Sequence, residues 1–241
     1  MSENKSDKLV ALVTGGNKGL GLEIVSELAK KGYTVLLGAR EDKGKAPAEK
    51  LVKDGFDVIP VKLDVTSAQD IANIAAMIEK KFGKLDALVN NAGVMAERED
   101  STAEELRETF EANVIGPYEL TRHLLPLLKK SKGGRVVNQS SILGSLETMA
   151  SGAGGASGFL YAGYSSSKAA LNMLTVILAE QLKDTKIKVN AAHPGWVKTD
   201  MGGKNAQLEI PEGAKTAVEL ATLGPDGPTG AFQHLGKTLP W

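Results

Sequence analysis

The 241-residue chain predicts an α/β fold with a doubly wound parallel sheet of about seven strands flanked by helices. Three observations carry that prediction. Short apolar runs alternate with segments of helical apolar periodicity along the chain. The first run leads straight into a glycine-rich turn and a helix start. No repeat, low-complexity tract or long linker interrupts the alternation, so residues 1–241 read as one domain.

The first apolar run, residues 9–13, has the look of a strand buried on both faces. Thr14-Gly15-Gly16-Asn17-Lys18-Gly19-Leu20-Gly21 follows at once, and then Ile24, Val25, Leu28 and Ala29 recur at helical spacing. Strand, glycine turn and helix start form the context that a dinucleotide fingerprint requires, although the spacing Gly-x-x-x-Gly-x-Gly departs from the commoner Gly-x-Gly-x-x-Gly. The glycines allow a tight turn and close approach to a pyrophosphate, whose charge meets the free N–H groups of the helix start. Gly15, Asn17, Lys18, Gly19, Leu20 and Gly21 are therefore the first cofactor candidates. The bland alternative is a turn that only joins strand to helix. With a dinucleotide in place of that turn, the doubly wound sheet is Rossmann-type.

The second run, residues 33–39, ends in Arg40, where an acidic residue would accept from the ribose 2′-OH of NAD. Ala39 and Arg40 stand there instead, with Glu41 and Asp42 only beyond. Arg40 offers a charged planar fork to a 2′-phosphate, and Lys18 a second positive charge, so the pair points to NADP(H). Otherwise both are solvated surface charges. Residues 56–62, 85–90 and 186–192 read as the third, fourth and sixth strands, with helical patterns between them at residues 67–82 and 102–129. Asn113 falls inside the latter pattern, where an amide is mildly unfavourable unless something needs it. A solvent-facing asparagine is the plainer reading.

Residues 135–141 form a strand running into a polar end, the edge at which open parallel sheets place their ligand crevice. A hydroxyl there, Ser141, can donate to a carbonyl oxygen as negative charge develops on it. Helical periodicity over residues 164–182 then puts Tyr164 and Lys168 on one face. A positive charge about 5 Å from the phenol, at an effective dielectric near 20, contributes roughly 3 kcal/mol, or about two pKa units. The sequence thus predicts Lys168 to draw Tyr164 down from about 10 into the range of general acid–base catalysis. No other tyrosine here has a lysine four residues later, which separates Tyr164 from Tyr161.

Composition excludes more than it assigns. Equal counts of basic and acidic residues, 29 each, give no electrostatic case for nucleic acid or an anionic membrane surface. Zero cysteines remove disulfides, thiol catalysis and cysteine–zinc sites, and the three histidines lack metal spacing. Residues 1–8 are a polar lead without an apolar core, and no stretch reaches membrane-spanning length, so a cytoplasmic protein is expected.

Over nearly its whole length the chain resembles the short-chain dehydrogenase/reductase family, and within it the NADPH-dependent carbonyl reductases. The matching stretches are residues 14–21, Asp64-Val65, Asn90-Asn91-Ala92-Gly93, Asn113-Val114, Ser141, Tyr164 with Lys168, and Pro194-Gly195 with Thr199. His193-Pro194-Gly195-Trp196-Val197-Lys198-Thr199-Asp200-Met201 and Gly227-Pro228-Thr229-Gly230 favour the carbonyl reductase branch. The resemblance implies Tyr164 as acid/base, with Lys168 lowering its pKa and binding the nicotinamide ribose. It implies Ser141 orienting the carbonyl and Asn113 holding a water of a proton relay. It further implies Asp64 and Val65 at the adenine, Asn91, Ala92 and Gly93 at the adenosine ribose side, and Pro194, Gly195, Val197 and Thr199 at the nicotinamide end. The implied activity is NADP(H)-dependent reduction of small aldehydes and ketones. A 3-oxoacyl or steroid keto-reductase, or a non-catalytic NADP(H)-binding regulator, are the rival readings. Residues 144–163 are longer than in compact relatives, read as a flap of small residues, and leave monomer, dimer and tetramer open. Residues 199–213 read as a substrate lid.

Overall fold

A computed structural model describes residues 8–96, 101–152 and 161–241. The eight-residue polar lead therefore lies outside the described residues except for Lys8, as do residues 153–160 of the expected flap. The strands are β1 (Val10–Thr14), β2 (Thr34–Ala39), β3 (Val58–Lys62), β4 (Ala87–Asn90), β5 (Arg135–Gln139), β6 (Lys188–Ala192), β7 (Phe232–His234) and β8 (Lys237–Thr238). The α-helices are α1 (Gly19–Lys30), α2 (Lys45–Lys53), α3 (Ala68–Phe82), α4 (Ala103–Phe110), α5 (Gly116–Lys129), α6 (Leu146–Ser151), α7 (Ala162–Gln181) and α8 (Ile210–Ala221).

These strands form one sheet in the order β3-β2-β1-β4-β5-β6-β7-β8. All neighbours are parallel except β7 and β8. The order reverses between β1 and β4, which is the crevice where such sheets bind ligands. β1 and β2 are buried at every position, as strands covered on both faces must be. β3 alternates and carries Pro60, which an edge strand tolerates because one side of it needs no ladder hydrogen bond. One apolar layer packs β1, β2 and Val137 against α1 and α8; the other packs Leu12, Leu88 and Val136 against α3 and α5.

The expected strand count is exceeded by one. Leu235 and Gly236, both at positive φ (46° and 76°), form the two-residue turn that folds β8 back on β7. The helical pattern at residues 102–129 is also interrupted. α4 begins with a capping box between Thr102 and Glu105, a π-helical turn occupies Glu111–Ile115, and α5 resumes at Gly116.

Candidate active site

A cleft of about 990 Å³ opens along the carboxyl ends of β1, β2, β4 and β5. Every cofactor residue nominated from sequence lines it except Gly195 and Val197. Gly195 takes φ +83° to turn the chain off β6, and a Cβ on it would lie 2.4 Å from Leu208. Val197 is 4 % exposed, with its side chain against Gly213 of α8, so it supports the site from behind. Its backbone bridges Leu208, and Lys198 pairs with Glu209, which closes the neck of the loop from 199 to 207.

The glycine loop is shaped as a cradle. Gly15 and Gly19 lie at φ +64° and +53°, and a Cβ on Gly21 would fall 2.2 Å from the carbonyl oxygen of Gly15. Only glycine permits that approach. Asn91 steadies the loop by donating from Nδ2 to the carbonyl of Thr14 at 2.9 Å, while Thr14 Oγ1 accepts from the N–H groups of Asn91 and Ala92. Arg40 is exposed at the end of β2 and makes no ion pair among the described residues. The acidic residues after it are answered by lysines, Glu41 by Lys43 and Asp42 by Lys45. Lys18 is placed differently from expectation: its ammonium pairs across the mouth of the cleft with Asp200, both side chains being largely exposed. The hydrogen bond from Lys18 holds Asp200 below the usual carboxylate range.

At the far end α7 brings Tyr164 and Lys168 together, with Lys168 Nζ 5.5 Å from the phenol ring centroid and donating to the carbonyl of Gln139 at 2.8 Å. Burial lowers Lys168 from 10.5 to about 8. The expected lowering of Tyr164 is reversed. Burial raises the phenol, opposed by its hydrogen bond with Ser141. Desolvation of the would-be phenolate outweighs that hydrogen bond.

Ser141 is buried and does not line the cleft wall, but its side chain hydrogen-bonds to Tyr164. Its Oγ accepts from the Leu143 N–H at 3.2 Å, which leaves its proton to donate to the phenol side. The loop carrying it is clamped from several sides. Asn172, two turns beyond Tyr164 on α7, accepts from Ser140 Oγ at 2.6 Å and donates to the Gly144 carbonyl at 3.1 Å. His193 Nδ1 accepts from the Ile142 N–H at 3.2 Å. Burial and the neighbouring His234 push His193 down to about 3, so it is neutral and free to accept.

Asn113 is neither solvent-facing nor idle. It is fully buried in the π-turn, donates to the Val94 carbonyl and to Ser167 Oγ, and accepts from the Val94 N–H. Its amide ties the chain after β4 to α7, three hydrogen bonds that a water-holding side chain would have to share. Among residues not singled out from sequence, Gln139, Arg107, Asp200 and Met201 also line the cleft. Gln139 was marked by being a polar residue at the end of a buried strand, and Asp200 and Met201 by lying in the 193–201 stretch and the expected lid; Arg107 lies on a segment with no chemical signature.

The arrangement fits a dinucleotide: a glycine cradle that a Cβ would fill, a free guanidinium at the β2 end, and a buried phenol–hydroxyl–ammonium set at the other end. The same set suits proton transfer beside a hydride acceptor. No helix among the described residues is long and apolar enough to cross a membrane, and no cluster of three metal-ligating side chains occurs among them.

Comparison with known proteins agrees with this geometry. The chain is 34 % identical over 277 residues to carbonyl reductase (NADPH) 1 of Mus musculus, covering 98 % of this chain and 99 % of the mouse protein. It is 35 % identical over 295 residues to short-chain dehydrogenase/reductase 1 of Saponaria officinalis, covering 98 % and 97 % of the two chains. Among solved structures, the NADPH-bound carbonyl reductase from chicken fatty liver superposes with a TM-score of 0.84 at 31 % identity, covering 97 % of this chain and 100 % of that one. A family model described as short chain dehydrogenase matches residues 9–209, and the chain belongs to that family.

Proposed function

We propose that this protein is an NADPH-dependent carbonyl reductase that converts small aldehydes or ketones to alcohols, with Tyr164 as proton donor. The observation that carries the reading is Tyr164 held in hydrogen bond with Ser141 beside Lys168, at the end of a dinucleotide-shaped cleft. Relatives named as NADPH carbonyl reductases, matched over nearly the full length, support both cofactor and reaction.

Bound NADPH supplies the hydride; the chain supplies everything else. The raised phenol keeps Tyr164 protonated at neutral pH, the form that can give its proton to the carbonyl oxygen. Ser141, a lone pair engaged by Leu143, directs its single O–H to the phenolate left behind. Lys168, still mostly ammonium below pH 8 and with Nζ 5.5 Å from the centre of the phenol ring, stabilises the phenolate. Gly15, Gly19 and Gly21 admit the pyrophosphate to the start of α1. Arg40 meets the 2′-phosphate, with Lys18 joining it only by leaving Asp200. Asn113 acts by fixing Val94 against α7. Residues 199–213 form the lid, with its neck already tied. The protein works as one cytoplasmic domain on small molecules, without nucleic acid.

Following NADPH consumption over aldehydes, aliphatic and aryl ketones, diketones and quinones tests this. Turnover on one of these classes is the expected result. Tight NADPH binding with no turnover on any would favour the regulator. Arg40→Asp should shift preference toward NADH; a variant preferring NADPH as strongly as the parent would remove Arg40 from the selection.

A further inference from the structure

The Gln139 side chain is 6 % exposed, and neither its amide oxygen nor its nitrogen has a hydrogen-bond partner. Its buried neighbours behave otherwise: Asn113, Asn138 and Asn172 each engage their amides on both sides. A primary amide buried with both ends unpaired is destabilising, and methionine or leucine would fill the same space without that cost. Gln139 also lines the cleft. A polar side chain so placed is matched to something that enters.

Three facts locate it. Asn138 faces α7, donating to Thr175 Oγ1 at 2.8 Å, so strand alternation turns Gln139 to the opposite face with Val137, toward α1 and α8. In register it stands opposite Ala192, the residue before His193-Pro194. Its own carbonyl receives Lys168 Nζ. The amide therefore lies at the Tyr164 end of the cleft, three strands from the β2 end that carries Arg40.

We propose that Gln139 is a cofactor-binding residue whose amide both donates to and accepts from the nicotinamide half of the dinucleotide. The carboxamide and ribose hydroxyls of that half offer donors and acceptors together, as the amide requires. The pyrophosphate offers acceptors alone and would leave the Gln139 oxygen unpaired. The assignment rests on the NADPH reading, and the test separates the two.

Gln139→Met and Gln139→Leu are compared with the parent in three measurements: the Kd for NADPH, the Kd for 2′,5′-ADP, and the Tm of the ligand-free protein. 2′,5′-ADP keeps the adenosine end and the 2′-phosphate but lacks the nicotinamide half. The expected result is NADPH binding weakened roughly 10-fold, 2′,5′-ADP binding unchanged, and a ligand-free Tm raised by about 2–6 °C. An unchanged NADPH Kd, an equal loss for both ligands, or a lowered ligand-free Tm in both variants overturns the assignment. A parent that binds neither ligand overturns the cofactor reading itself, and Gln139 with it.

Discussion

Replacing Lys168 with methionine should stabilise the ligand-free protein at neutral pH while abolishing its chemistry. Burial lowers the ammonium from 10.5 to about 8, which corresponds to about 3 kcal/mol of folding free energy lost by burying the charge. Methionine has similar length and no charge, but it leaves the Gln139 carbonyl without its donor, a loss of about 1 kcal/mol. The net gain is about 2 kcal/mol at pH 7, or a Tm rise of roughly 4–8 °C. The sign follows from proton counting. Between pH 8 and 10.5 the unfolded lysine holds a proton that the folded one has released, so the parent gains stability as pH rises through that window. Below pH 8 the penalty is complete and constant. Urea unfolding of parent and Lys168→Met at pH 7, 8, 9 and 10 should therefore show a gap that is widest at pH 7 and closes on the alkaline side. A gap independent of pH, or a variant less stable at pH 7, would refute the reasoning.

Tyr164→Phe should lose nearly all carbonyl reduction yet keep NADPH affinity, and Ser141→Ala should retain more activity, having lost one donor worth about 3 kcal/mol; substantial reduction by the phenylalanine variant, read in steady-state kinetics, would move attention to Tyr161. The parent's reduction rate should decline as pH rises through about 8, because Lys168 then loses the charge that steadies the phenolate; a flat profile from pH 7 to 9 contradicts this. His193 is held down to about 3 from 6.5, so stability should fall with pH below 6.5, by ~2 kcal/mol at pH 5, since only the unfolded histidine takes up the proton. His193→Asn should flatten that part of an acid-unfolding curve and keep an acceptor for Ile142. Gly21→Ala sets a methyl 2.2 Å from the Gly15 carbonyl and should weaken NADPH binding at least ~10-fold by titration, with a stability loss of ~1–3 kcal/mol; unchanged affinity would mean that the loop is not the cradle.

The parallel sheet was legible because its information is local. Val10–Thr14 and Thr34–Ala39 are apolar at nearly every position, and glycine spacing marks the turn between strand and helix. Tyr164 and Lys168 were legible because four residues on a helix is a fixed distance. What escaped depends on partners remote in sequence. Nothing near Lys18 announces Asp200, 182 residues away, so the lysine read as free for phosphate. Burial is likewise a property of the fold, and it reversed the direction of the Tyr164 shift that a charge-to-charge argument had predicted. β8 was too short, at two residues, to leave a periodic trace. The amide of Asn113 looked expendable in a helix because its partners, Val94 and Ser167, come from other elements.

The π-turn at Glu111–Ile115 has a consequence for how this chain can change its length. Such a turn is one surplus residue threaded into a helix, and removing it would leave an unbroken helix from α4 through α5. Each residue on an α-helix turns it by about 100°. A single deletion in regular helix between Glu108 and the turn would therefore swing the α4 side chains that rim the cleft, Glu104, Arg107 and Glu108, about a quarter of a circle away from it, whereas one within the turn removes only the surplus and leaves them facing it. What a deletion within the turn would change is local, withdrawing Asn113 from Val94. The turn is thus the place where a lineage can drop one position and keep the azimuth of the rim, at the cost of the ties that Asn113 makes.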